Sequence, residues 1–222
     1  MKRRTEMDAI KTDGGQIGWR FGLRWVLLTI AGWAIGFPLG FVFVAVAGWV
    51  IGVHEGSIIL KLGLDNAAAF VVVVAVVSLM QWLALRRVVQ RAGFWVLASI
   101  IGFAISSSIH GVVCHVYGYP DDLGPLGAQV WTLFFILGGT LTGLLQQRIL
   151  RHQVRRSGWW VPASAAGWSL VVIGFGIVSK ILGVRLQVVG EIASSGLLGI
   201  VTGGVLIWLL RQPTQQMLDT AT

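Results

Sequence analysis

Three side chains of metal-holding types fall close together in this chain: His110, Cys114 and His115, followed by Asp121 and Asp122. His110 and Cys114 stand four apart, so on a helix they share a face, and imidazole with thiolate is a zinc-type pair. An imidazole inside an apolar span could also ligate a haem iron or a chlorophyll-type magnesium. The plainer alternative is packing, since a lone cysteine in an apolar stretch commonly behaves as a small buried hydrophobe. Matching ligands are missing from the rest of the chain, with His54 the only other nearby histidine. The expectation is therefore no bound cofactor, with His110 as the cofactor-binding candidate and His110, Cys114 and His115 as the metal candidates.

Other chemistry is sparse. No phosphate-binding loop, dinucleotide fingerprint or metalloprotease helix motif occurs. Ser108 and His110 are two apart and do not face each other on a helix, which disfavours a nucleophile pair. All nine acids fall in segments expected to be loops or tails, so no span carries the carboxylates that proton-coupled transport commonly uses. The single cysteine rules out an internal disulfide. An enzyme is not expected.

The elements that would position these residues are membrane spans. The 222 residues are 55% hydrophobic and only 12% charged, far from the balance of a soluble domain. Apolar runs cover roughly 25–52, 67–85, 94–116, 131–149, 159–179 and 193–210. Crossing a bilayer takes about 20 helical residues, and continuous apolar runs without period-2 alternation select helices over a barrel. The first run exceeds an upright span and holds Pro38, so a tilt or kink is expected there.

The formal charge of +8 does not point to nucleic acid, because fourteen of the seventeen basic residues gather at one side of the six runs. Only Lys61, Lys180 and Arg185 belong to the other side. The positive-inside rule then places both termini in the cytoplasm, which requires an even number of spans.

The runs also repeat in pairs. Trp25-Val26, Trp95-Val96 and Trp160-Val161 lead to Gly32-Trp33, Gly102-Phe103 and Gly167-Trp168, and the pairs close on Arg86, Arg151 and Arg211. The interval is 70 then 65 residues at the tryptophans and 65 then 60 at the arginines. The expected fold is an all-α integral membrane protein: six transmembrane helices as three parallel αα-hairpins, about 21–88, 89–153 and 154–212. Residues 1–20 form a polar arm and 213–222 a tail. Helices in lipid need close packing and polar contacts to associate. Gly32, Gly102 and Gly167, with Ser78, Gly139, Gly143, Gly199 and Gly203, are the expected packing positions within each hairpin. Gln81 and Gln146, each five residues before its arginine, could bond between helices or reach the headgroups. Trp25, Trp95 and Trp160, with Arg86, Arg151 and Arg211, are the expected interface anchors.

The segments Ser78 to Arg87, Arg91 to Ser99 and Gly158 to Trp168 resemble a family of bacterial multi-pass membrane proteins with repeated Gln-Trp-x-x-Leu-Arg and Trp-Trp-Val-x-Ala-Ser motifs. The third copy departs from the pattern, with Leu206-Ile207-Trp208 where a Gln-Trp pair would stand. The resemblance implies a bacterial cytoplasmic (inner) membrane protein and carries no catalytic residues. The leading functional expectation is a non-catalytic scaffold or accessory subunit of a membrane complex, with the lipid bilayer and other subunits as partners. The alternatives are a small transporter or channel and a His-ligated cofactor binder.

Overall fold

Long apolar runs with few helix breakers give six long helices among the described residues. The computed structural model describes residues 18–51, 64–118, 125–182 and 187–212. They form α1 (Trp19–Ile51), α2 (Leu64–Leu85), α3 (Gly93–Tyr117), α4 (Pro125–Leu150), α5 (Trp160–Leu182) and α6 (Gln187–Leu210). A short 3-10 turn, Ser157–Trp159, leads into α5. All six helices are long and apolar enough to cross a membrane. Most of the far-side links lie outside the described residues, as do most of the N-terminal arm and the tail after residue 212. With them go His54, Lys61, Asp121, Asp122 and Arg185.

Two differences from the sequence expectation concern helix limits. α1 begins ahead of its apolar run, at Trp19, and its 33 residues, about 50 Å at ~1.5 Å per residue, include Pro38. α6 begins earlier than its apolar run, so Glu191 belongs to a helix and not to a loop. Asp65 likewise sits in the first turn of α2. A helix continues past its apolar stretch as long as its backbone hydrogen bonds do, and hydropathy does not mark that limit.

Each helix packs against the next in chain order, and α6 packs back onto α1, closing a ring. Successive contacts run in opposite directions along each pair. Gly32, Gly36 and Gly40 of α1 meet Val77, Val73 and Ala69 of α2, and Gly199 and Gly203 of α6 meet Val26 and Trp25 of α1. Neighbours are therefore antiparallel, as short links require.

The small residues make these approaches possible. A Cβ on Gly32 would sit 2.7 Å from Val77 Cα, and one on Gly102 2.6 Å from Thr142 N. Gly167 fits against Leu198 and Thr202. These three pack as expected, between the two helices of a pair. Gly139 and Gly143 do not: they meet Ser164, Val161 and Trp168 of α5. Together with Gly199 and Gly203 they join one pair to the next and close the ring. The expectation that all these positions pack within a pair is thus corrected, because the second helix of each pair has a neighbour on both sides.

Side chains fill the axis in layers. Near the arginine-bearing end, Trp25, Trp95 and Trp160 lie in one buried cluster with Leu85, Leu150, Leu206 and Leu209. Further along, Trp33, Phe103, Phe134, Phe135 and Trp168 form a second cluster, with Phe70 and Trp131 packed against it.

Replacing Gly32 with Ala forces a backbone contact apart and should cost about 1–3 kcal/mol, as overpacked cores do. Gly204→Ala is the control, since nothing lies within 4 Å of its added Cβ; it should be neutral or slightly stabilising through helix propensity. Thermal unfolding of both variants in one detergent checks the contrast, and equal midpoints would remove the close-approach argument.

Candidate functional site

The feature with the most chemical organisation is a set of buried hydrogen bonds around the axis. Trp25 and Trp95 are fully buried and Trp160 is 2% exposed. Their rings meet at centroid distances of 6.0, 6.4 and 5.1 Å, within the range where aromatic pairs add about 0.5–1.5 kcal/mol each. The expectation that these three anchor at the headgroup zone is corrected: their rings are buried against one another inside the bundle. Trp19 and Trp159 do face outward, 71% and 60% exposed. Arg86, Arg151 and Arg211 are exposed at the helix ends, as anchors would be. The Arg86 guanidinium lies 5.6 Å from the Trp82 ring centre.

A buried indole N–H needs an acceptor. Trp95 Nε1 donates to Gln81 Oε1 at 3.2 Å, and Trp160 Nε1 donates to Gln146 Oε1 at 2.8 Å. Each glutamine amide then reaches back to a hydroxyl on its own preceding helix: Gln81 Nε2 to Thr29 Oγ1 at 3.3 Å, Gln146 Nε2 to Ser99 Oγ at 2.9 Å. Those hydroxyls in turn donate to Trp25 O and Trp95 O. The four glutamine bonds cross from one helix to the next, from α1 through to α5, while the two hydroxyl-to-carbonyl bonds stay within α1 and α3. The glutamines therefore bond between helices; they do not reach for headgroups.

The third pair solves the problem differently. Leu206 stands at the glutamine position and has no amide. Trp25 Nε1 donates instead to Thr202 Oγ1 at 3.0 Å, one turn away on α6, and Thr202 donates to Leu198 O. Thr142 holds the place on α4 that Thr202 holds on α6, nine residues before the arginine. Because Trp160 already bonds Gln146, Thr142 is left over, and its buried Oγ1 has no protein partner. Ser164 matches Thr29 and Ser99 in its place four residues after the tryptophan, and the pair to which it belongs has Leu206 in place of a glutamine. Thr142 and Ser164 both line a small cavity between the two aromatic layers, along with Gln81, Gln146, Ser99 and Thr202. It leaves about 20 Å³ of space.

His110 is buried elsewhere, in the second aromatic layer. Its ring lies 4.8 Å from those of Trp131 and Phe134, and Cys114 Sγ is 3.4 Å from its Nε2. Among the described residues no three His, Cys, Asp or Glu side chains converge, and the side chain of His115 lies outside them. What the sequence brought together here is thus a His–Cys contact on one helix face, packed by aromatic rings.

The arginine-end links are tied to each other as well. Gln153 Oε1 accepts from Gln90 N at 2.8 Å, and Gln153 Nε2 donates to Gln90 O at 3.2 Å. Beside this clasp Arg91 takes φ 57°, a left-handed conformation that turns the chain sharply into α3. Neither feature was apparent in the sequence. One signal for the relay was present, however: Gln81 to Trp95 and Gln146 to Trp160 share a separation of fourteen residues.

Compared with family models, curated proteins and solved structures, the chain shows no significant match to any of them.

The relay makes an asymmetric prediction. Gln81→Leu strands Trp95 Nε1, because the matched position one turn back is Val77; the cost should be about 1–3 kcal/mol, that of a buried unsatisfied donor. Gln146→Leu should cost less, because Thr142 can serve Trp160 as Thr202 serves Trp25. Thermal midpoints of the two variants decide it: the reverse order would mean that the hydroxyl on α4 cannot substitute.

Proposed function

We propose that this is a non-catalytic multi-pass protein of the bacterial cytoplasmic membrane, acting as a scaffold or accessory subunit within a membrane complex. In this reading its three αα-hairpins are parallel repeats about a pseudo-threefold axis along the membrane normal, with both termini in the cytoplasm. Support for the repeats comes from the relay, whose bonds recur at matching positions of successive pairs. Support for the orientation comes from the basic residues, which gather at one end.

The observation that carries the scaffold reading is the filled axis. Two layers of aromatic rings occupy it, and between them the cavity is of water size. A transporter needs a substrate-sized polar space or a continuous polar lining, and the packing at the axis weighs against that alternative. The aromatic packing of His110 weighs against the cofactor reading in the same way. What remains open to partners is the perimeter, which exposes many large apolar side chains. α1 is the helix least covered by the rest of the bundle. Its last turns expose Phe41, Phe43, Val46 and Trp49, so the search for a partner begins there.

The test is purification from the native membrane in mild detergent, with mass spectrometry and absorbance on one peak. A companion at fixed stoichiometry, released by Phe41→Ala, Phe43→Ala and Trp49→Ala together while the thermal midpoint holds, is the expected result. A solitary protein that catalyses flux in vesicles would replace this proposal with transport.

A further inference from the structure

The small cavity on the axis lies beside two hydroxyls that the relay leaves over. Thr142 is 2% exposed, its Oγ1 has no protein partner, and it lines the cavity. A hydroxyl buried without a hydrogen bond costs about 1–3 kcal/mol. Ser164 lines the same space and belongs to the pair in which Leu206 replaces the glutamine. Ser78, Ser99, Thr202 and the two glutamines add further lone pairs and donors around it. A water needs roughly 10–15 Å³ of such space and two to four polar partners. The cavity offers about 20 Å³, room enough to admit water. Its walls include Trp25, Trp160 and Trp168.

We propose that this cavity is a structural water site, in which a water bonds Thr142 Oγ1 and Ser164 Oγ and completes the hydrogen-bonding that the third pair lacks. The water belongs to the fold, placed between the two aromatic clusters that occupy the axis. The inference rests on the cavity and its hydroxyls and holds whether or not the protein has a partner.

Microsecond X-ray hydroxyl-radical labelling of the intact protein in detergent tests it, because radicals made from a trapped water oxidise the side chains around it. Trp160 and Trp168 line the cavity and are 2% and 6% exposed, whereas Trp33, 1% exposed, does not line it. The expected result is oxidation of Trp160 and Trp168 severalfold above that of Trp33, each resolved by fragment mass spectrometry. Thr142→Val should lower that excess severalfold and Thr142→Ser should keep it. Labelling of Trp160 and Trp168 no greater than that of Trp33 would overturn the proposal, as would an undiminished excess in Thr142→Val. If Thr142→Val does not fold, the wild-type comparison with Trp33 decides alone.

Discussion

An indole N–H buried among apolar helices is costly to leave unpaired. Trp33 Nε1 has no partner among the described residues, but three other indoles find acceptors, and the bundle is arranged around them. Lipid tails are as apolar as leucine, so no hydrophobic gain draws one membrane helix to another. Three tryptophans at the axis supply a specific reason to associate. Each finds its acceptor on a neighbouring helix, Gln81, Gln146 or Thr202. Single interhelical bonds of this kind contribute on the order of 1 kcal/mol. Their value here is also positional, since each fixes the rotation of two helices about their axes at once.

Close packing makes those bonds reachable. An amide spans only a few ångströms, so the backbones must approach to where a Cβ would clash. Gly102 against Thr142 and Gly143 against Val161 mark such places on both sides of α4. The glycines and the relay are therefore parts of one arrangement. Small residues set the distance, and the polar groups select the register along which the helices meet.

The arrangement is not fully regular, and its irregularity has a physical consequence. Replacing one glutamine by Leu206 moved the acceptor for Trp25 to a threonine hydroxyl one turn away. It also left Ser164 without an amide and Thr142 Oγ1 without a partner among the described residues, both lining one small cavity. Elsewhere the axis is packed with rings, Trp33, Phe103 and Trp168 among them. An interior built in this way supports a shape more readily than a passage, which directs functional attention to the exposed faces.

Much of this was legible in the chain and some of it could not be. Apolar run length and the one-sided placement of arginines are local properties, so six spans and the basic end follow from sequence alone. The recurrence of Trp, Gly, Gln and Arg at near-constant intervals is likewise a property of the sequence. What spacing cannot state is the side of a helix that faces another helix and not lipid. For that reason Trp25, Trp95 and Trp160 were legible as recurring positions but not in direction, and Gly139 and Gly199 were legible as packing positions but not as joints between pairs. The extension of α6 over Glu191 was hidden because hydropathy marks apolar stretches, not backbone hydrogen bonds. The ring closure of α6 on α1, the aromatic filling of the axis and the hydroxyl-lined cavity belong to the tertiary structure, because each exists only once helices far apart in sequence have become neighbours.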